Sequence, residues 1–148
     1  MARLTVEVEI PADVETVWAD VEQLETHVEW MADAETIEFE GSRRKGDGTV
    51  MRVLTRVGPF TTEDIIRVTA WDPMKLIGVV HEGVVTGRGE FRLEPSVFGT
   101  RFVWDEELTF PWYLGGSLGM LAARPVLRWV WRRNLARLAS RFEHREAQ

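Results

Sequence analysis

Residues 112–143 read WYLGGSLGMLAARPVLRWVWRRNLARLASRFE, and this stretch holds the long helical pattern of the chain. Its apolar residues recur at steps of three and four, which predicts a helix with one buried stripe: Leu127, Val130, Trp131, Leu135, Leu138 and Phe142. Seven arginines lie mostly away from this stripe, in the stretch and just after it: Arg124, Arg128, Arg132, Arg133, Arg137, Arg141 and Arg145. We predict a helix over Pro125–Glu143, roughly 28 Å long at a rise of about 1.5 Å per residue. Pro125 either begins this helix or kinks it.

Most of the chain before this helix has the pattern of β-strands. Residues 3–10 alternate between polar and apolar side chains, as in a half-buried strand with one wet face. Asp13 is placed to cap a short helix that continues to Val21, and a second helical turn is predicted around Glu22–His27. Six further strand segments follow, separated by turns: residues 35–40, 49–57, 62–70, 76–84, 85–93 and 101–110.

This order of elements predicts the architecture. Regularly spaced strands with tight turns between them are typical of an antiparallel meander. A strongly bent sheet cannot close its concave face alone, so we predict that the long helix covers it. The prediction is an α+β fold in one domain, residues 1–148, with a curved seven-stranded antiparallel sheet around the C-terminal helix and two short helices after the first strand. Small inward residues, Gly87 and Gly89, are expected to leave room for a cavity.

Composition narrows the class of protein. With 45% hydrophobic and 28% charged residues, the chain of 148 residues has the composition of a soluble globular domain. No segment approaches the apolar length that spans a bilayer, and the first residues lack the apolar core of a signal peptide. The chain has no cysteine, which excludes disulfides, thiolate catalysis and thiolate metal sites. We therefore expect a cytoplasmic protein.

The distribution of charge bears on possible partners. A net charge of −6 argues against a nucleic-acid binder. The charge is uneven, however, because the C-terminal helix is basic and residues 1–40 are rich in acid. The arginine face of the helix either lies in solvent beside acidic neighbours or contacts an anionic surface such as phospholipid. We expect no stable insertion into a membrane, and the sequence leaves the oligomeric state open.

Several short motifs, taken with the order of elements, resemble a known superfamily. They are Pro11-Ala12-Asp13 leading to Val17-Trp18, Glu29-Trp30-Met31, Gly46-x-Gly48, Trp71-Asp72-Pro73, Gly99-Thr100-Arg101 and Asn134-Leu135-Ala136-Arg137-Leu138. Together they resemble the helix-grip fold of the START-related (SRPBCC) superfamily, in its polyketide cyclase/dehydrase and lipid transport branch. The resemblance covers essentially the whole chain. The resemblance is specific for the fold and much less specific for the function, because the superfamily includes both cyclases and lipid carriers.

Polar residues on the predicted inner face of the sheet are the candidate ligand contacts. Asp64 and Glu106 each interrupt an apolar row, and a buried carboxylate needs a partner, a raised pKa or a wet cavity. His81 joins them if the fifth strand turns that residue inward, and Trp104 shares a face with Glu106. Alternatively, these polar residues bond each other, buried water or the backbone. The full set of predicted ligand-binding residues is Asp64, His81, Trp104, Glu106, Phe91 and Met51.

The sequence suggests three functions. The first is binding or carriage of a hydrophobic small molecule, such as a lipid, polyketide or isoprenoid, in a mostly apolar cavity. The second is a polyketide cyclase or dehydratase that uses the inward polar residues as general acid and base. For aromatic cyclases the resemblance implies a cavity arginine that positions the substrate. Alternation puts Arg52, Arg56 and Arg67 on the outer face instead, which favours the first function. The third, a membrane-surface module that uses the Arg and Trp helix, is less favoured because packing on the sheet explains the apolar stripe of that helix better.

Metal-ligand and dinucleotide-binding signatures are missing from the sequence. The three histidines, His27, His81 and His144, are far apart and lack the spacing of metal ligands. The glycines at 87 and 89 lack the third glycine of a dinucleotide loop. We therefore expect neither a metal nor a cofactor, and we assign no catalytic residue.

Overall fold

A computed structural model describes residues 2–146, with side chains described for residues 3–143. His144 and Arg145, which the sequence patterns include, lie outside the described side chains. The elements in chain order are β1 (Ala2–Ile10), α1 (Val14–Val21), the 3₁₀ helix η1 (Leu24–Glu29), β2 (Ala34–Glu40), β3 (Val50–Val57), β4 (Phe60–Asp72), β5 (Leu76–Glu82), β6 (Thr86–Ser96), β7 (Gly99–Thr109), the 3₁₀ helix η2 (Trp112–Leu114) and α2 (Gly116–Glu146).

The sheet has seven strands, all paired antiparallel, in the order β1-β7-β6-β5-β4-β3-β2. This confirms the predicted α+β helix-grip architecture. Because β1 and β2 lie at opposite edges, α1 and η1 carry the chain from one edge of the sheet to the other. Asp13 caps α1, since its carboxylate accepts a hydrogen bond from the backbone N of Thr16 at 2.8 Å. The second predicted helical turn is observed as η1, slightly later in the chain than predicted.

The long helix packs on the inner face of the sheet, mainly along β1. Its predicted apolar stripe is buried at Trp131, Leu135, Leu138 and Phe142, where it joins the hydrophobic core of the described residues. The prediction that Leu127 is buried is only partly met, because this residue is half-buried. It lies in the N-terminal half of α2, most of which stays partly or wholly exposed. The C-terminal half of the helix therefore contributes most of the apolar burial.

The helix begins earlier than the sequence predicted. It starts at Gly116 and not at Pro125, which lies inside it. Gly115 ends η2 in the left-handed conformation, with φ of 90°, and turns the chain into the helix. An internal proline removes one backbone hydrogen bond, which is why local sequence favours proline at a helix start. Met120 is buried, so packing against the core holds the residues before the proline in helical conformation.

One irregularity of β4 also differs from the prediction. In a regular strand over residues 62–70, Val68 and Ala70 lie two positions apart and would share the inner face with Asp64. The pairing with β5 instead shifts register between these two residues, so Trp71 and not Ala70 faces inward. There the Trp71 ring makes an edge contact with Trp18, with ring centroids 5.3 Å apart. A β-bulge adds one residue to a strand and reverses the facing of the residues after it, which periodicity alone does not reveal.

Candidate functional site

Glu106 lies at the centre of a buried polar cluster on the inner face of the sheet. As alternation predicted, it sits on β7 between Trp104 and Leu108. Its Oε2 lies 2.8 Å from His81 Nε2, and its Oε1 accepts a hydrogen bond of 3.0 Å from Trp104 Nε1. Gly89 lies opposite on β6, where a Cβ would approach Oε2 to 2.3 Å. The carboxylate therefore depends on glycine at that position for its space.

His81 faces inward from β5, across β6 from Glu106. Burial lowers its pKa, but the charge and hydrogen bond of Glu106, helped by the charge of Asp64, outweigh burial and hold the pKa above its ordinary value of 6.5. The imidazolium then donates from Nε2 to Glu106. The His81 side chain is 16% exposed, so the pair is not sealed from solvent.

Asp64 lies on β4 and is satisfied locally. Its carboxylate accepts hydrogen bonds from the hydroxyl of Thr62 at 3.2 Å and from the backbone N of Val84 at 3.1 Å. It fills the space beside Gly83, where a Cβ would approach Oδ1 to 2.1 Å. Asp64 thus contributes to the cluster through its charge, which acts on His81, and through its place beside the β5–β6 turn.

Aromatic side chains form a layer next to the polar cluster. The Trp104 ring contacts Phe91 at a centroid distance of 5.4 Å and Trp30 at 6.2 Å, and it stacks on Trp131 of α2 at 4.7 Å. Two of the predicted ligand-binding residues, Trp104 and Phe91, therefore meet in this layer. Met51 is buried on β3, where Ile66 of β4 separates it from His81.

A second polar cluster joins the loop before β2 to α2, and sequence reasoning did not find it. Asp33 accepts hydrogen bonds from Asn134 Nδ2 at 2.7 Å and from Trp131 Nε1 at 3.3 Å. Burial raises the pKa of Asp33, the two hydrogen bonds oppose the rise, and the charge of Glu106 adds to it. Asn134, fully buried, also accepts from the backbone N of Ala32. The available signal was a polar residue, Asn134, inside the apolar stripe of the helix.

The space between sheet and helix is occupied more fully than the sequence predicted. Gly87 and Gly89 were expected to leave open room, but the Glu106 carboxylate fills the space over Gly89. The backbone of Glu107 approaches Gly87, where a Cβ would lie 1.9 Å from the carbonyl oxygen. Concave surfaces of about 250 and 340 Å³ lie elsewhere, on the outer face of the sheet and on the outward side of α2. The polar cluster lines neither of them.

The predicted outer-face arginines are found where alternation placed them. Arg52 pairs with Glu40 and Glu63, and Arg67 pairs with Glu82, all at the exposed face of the sheet. Among the described side chains, no group of three or more acidic or histidine residues has the geometry to hold a metal ion. None of the described helices has an apolar run long enough to cross a bilayer.

Comparison with known proteins adds a family assignment to this geometry. A family model described as polyketide cyclase/dehydrase and lipid transport matches residues 1–143. Among functionally curated proteins, none matches the sequence significantly. A solved structure from Thermus thermophilus is similar, with 22% identity and a TM-score of 0.79 over 97% of this chain and 98% of that one.

Two solved aromatase/cyclases are also similar in structure. The ZhuI aromatase/cyclase of a Streptomyces species has 20% identity and a TM-score of 0.71, over 97% of this chain and 94% of that one. StfQ, a di-domain aromatase/cyclase of the steffimycin biosynthetic pathway, has 13% identity and a TM-score of 0.76. The match covers 99% of this chain but 52% of StfQ. At these identities the likeness concerns the fold.

Proposed function

Because the chain belongs to the polyketide cyclase/dehydrase and lipid transport family, we propose that it binds or carries a hydrophobic small molecule between the sheet and α2. The ligand is of lipid, polyketide or isoprenoid type and has one polar end. Its apolar body lies against the aromatic layer, and its polar end contacts the His81–Glu106 pair. In this proposal residues 1–148 form one domain with one ligand site.

The observation that carries this proposal is the His81–Glu106 pair itself. A buried ion pair is costly to maintain for stability alone, because desolvation offsets most of its attraction. Here the pair is held beside an apolar aromatic layer and keeps partial access to solvent through His81. His81 Nδ1 has no hydrogen-bond partner among the described residues, so the imidazolium can donate from that atom to a ligand oxygen. Such an arrangement is typical of a site that fixes one polar group of an apolar ligand.

A second observation supports an acceptor group on the ligand. Trp30 is buried in the aromatic layer, and its Nε1 has no hydrogen-bond partner in the described structure. An unpaired buried donor costs about 1–3 kcal/mol. A ligand oxygen that accepts from Trp30 Nε1 recovers this cost. Since the rings of this layer are in contact with one another, binding requires some of these aromatic side chains to move.

Native mass spectrometry of the gently purified protein tests the proposal. We expect an added mass that is lost on unfolding, and we expect added fatty acids or aromatic polyketides to restore it in the emptied protein. Tryptophan fluorescence follows the same titration, because Trp104 lies next to the site. A protein that carries no added mass and takes up none of these compounds would contradict the proposal.

Acid–base catalysis on a polyketide is a second candidate function. It is favoured by the contact between His81 and Glu106 and by the charge and hydrogen bond of Glu106, which raise the pKa of His81 and so favour its protonated form. In this reaction the imidazolium gives its proton to a carbonyl oxygen while the Glu106 carboxylate takes the α-proton, so that an enol forms. Incubating the protein with a linear poly-β-ketone and following cyclised product by mass spectrometry separates the two functions. Product formed by the wild type and not by His81→Gln indicates an enzyme, whereas binding without turnover indicates a carrier.

A further inference from the structure

The outward side of the N-terminal half of α2 carries an exposed row of apolar residues. Leu118, Leu121, Pro125 and Trp129 follow one another at steps of three and four, so they share one side of the helix. Leu118 is 76% exposed and Trp129 is 60% exposed. We call these four residues the outer apolar row. Trp112 of η2, just before the helix, is 87% exposed.

A row of arginines runs beside the outer apolar row. Arg124, Arg128 and Arg132 recur at steps of four, and we call them the basic row. A shallow concavity of about 340 Å³ lies where the two rows meet, lined by Leu121, Arg124, Pro125 and Arg128. Among the described residues, no acidic side chain pairs with the basic row. Arg141, nearer the C-terminus of the same helix, instead pairs with Asp20 and Glu29.

The surrounding sequence concentrates positive charge on this part of the molecule. From Leu108 to Phe142 the chain carries six arginines and no acidic residue, although the whole chain has a net charge of −6. Arg133 adds to this charge, and its guanidinium lies over the Trp129 ring, 4.9 Å from the centroid. The surface thus combines exposed leucine and tryptophan with arginines that have no internal counter-ion.

We propose that this surface docks on an anionic phospholipid bilayer, with α2 lying in the plane of the headgroups. The outer apolar row and Trp112 enter the interface between headgroups and acyl chains, where tryptophan is favoured. The basic row contacts the lipid phosphates, and each arginine near an anionic surface strengthens binding about fivefold. This docking is peripheral, and it is independent of whether the interior holds a ligand.

Charge and polarity distinguish this partner from the alternatives. A symmetric dimer through the same surface would set the basic rows of two copies against each other, which is unfavourable for unpaired charges. A nucleic acid would use the arginines but leave the outer apolar row without a function, because backbone phosphates are bound through charge. An anionic bilayer matches both rows at once.

Vesicle flotation tests this surface. We expect the wild type to float with vesicles of phosphatidylcholine and phosphatidylglycerol and not with phosphatidylcholine alone, and we expect added salt to weaken the binding. Arg124→Gln with Arg128→Gln should weaken partitioning about 25-fold, at about fivefold per arginine. Leu121→Ser with Trp129→Ser should abolish it. The matched control, Arg43→Gln with Arg44→Gln in the β2–β3 loop, removes the same charge elsewhere and should retain most of the binding.

Three results would overturn the proposal, provided that circular dichroism shows the variants to be folded. The first is a wild-type protein that floats with neither vesicle preparation. The second is an equal loss of binding in the control and in the basic-row variant, which would show that net charge alone matters. The third is a wild-type dimer in analytical ultracentrifugation that Leu121→Ser with Trp129→Ser dissociates, without any vesicle binding.

Discussion

The ring of Trp104 on β7 stacks on the ring of Trp131 on α2, with centroids 4.7 Å apart and planes inclined by 18°. The two indole N–H groups point to different acceptors, Glu106 for Trp104 and Asp33 for Trp131. The stack therefore joins the sheet to the helix and lies between the two buried polar clusters. A change at this contact should affect both stability and the candidate site.

Trp131→Ala tests the contribution of this stack to stability. We expect a loss of about 3–5 kcal/mol in the free energy of unfolding, as for other large aromatic truncations in a core. Trp129→Ala is the matched control, because Trp129 is on the same helix but exposed. Urea unfolding should show a small change for the control. Similar losses for the two variants would mean that the helix is rotated from the described orientation.

The sequence predicted the parts of this fold that periodicity governs. Alternation placed Trp104 and Glu106 on one inward face of β7, and their hydrogen bond follows from that spacing. The spacing of three and four in α2 predicted the buried residues from Trp131 onward. The polar interruptions also had predictive value, since an inward carboxylate such as Glu106 was expected to have a partner or to face a wet cavity.

Other features depend on pairing and packing that one-dimensional patterns do not contain. The contact between His81 on β5 and Glu106 on β7 depends on two registers, that of β5 with β6 and that of β6 with β7. The inward position of Trp71 results from a bulge. Asp33 lies in a loop, where neither the helical nor the strand periodicity of the sequence applies. Its partner on α2, Asn134, is far away in the sequence. The early start of α2 reflects tertiary packing of Met120, which outweighs the local effect of Pro125.

The protonation of His81 is a direct test of its pairing with Glu106. We expect its imidazole to titrate above 6.5 in the folded protein, as followed by the NMR shifts of the ring. In Glu106→Gln the midpoint of the His81 titration should fall. Burial lowers the pKa of His81, and in this variant only the charge of Asp64 opposes that effect. Glu107→Gln, the control on the outer face of the same strand, should leave the midpoint unchanged. An unchanged midpoint in Glu106→Gln would contradict the pairing.

The same pKa shift predicts how stability depends on pH. Because the folded pKa of His81 lies above the unfolded value of 6.5, its contribution is fully present below that pH and is lost as the pH rises through the folded pKa. His27 acts oppositely: burial lowers its pKa to about 4, so it makes stability rise with pH between about 4 and 6.5. The free energy of unfolding of the wild type minus that of His81→Gln isolates the first effect. This difference should fall above pH 6.5, and a difference that rises there would contradict the prediction.

Trp30→Phe tests whether the unpaired indole donor serves a ligand. Without ligand, the variant should lose about 1 kcal/mol less stability than Trp131→Phe, because Trp131 Nε1 has an acceptor and Trp30 Nε1 has none. With ligand, Trp30→Phe should weaken binding about tenfold through loss of one hydrogen bond. Chemical denaturation and a fluorescence titration give the two quantities. A loss of stability at Trp30 that equals or exceeds that at Trp131 would indicate that this N–H already has a partner.

Asp64→Asn separates the two carboxylates of the cluster. Asp64 bonds Thr62 and the backbone of Val84, whereas the bonds of Glu106 go to His81 and Trp104. We therefore expect Asp64→Asn to lower the melting temperature by disturbing the β5–β6 turn, with a smaller effect on ligand affinity than Glu106→Gln. A larger effect on affinity at Asp64 would place the polar end of the ligand beside the turn.

The most direct test of the ligand site is a tryptophan-fluorescence titration of wild type, Glu106→Gln and Glu107→Gln with a long-chain fatty acid and with an aromatic polyketide. We predict saturable binding by the wild type and by Glu107→Gln. For Glu106→Gln we predict affinity weakened about tenfold or more, from the loss of a charged hydrogen-bond partner, with a smaller relative change in melting temperature. Absence of saturable binding by the wild type would contradict the account. Unchanged affinity in Glu106→Gln with a large fall in melting temperature would also contradict it, because the cluster would then support only the fold.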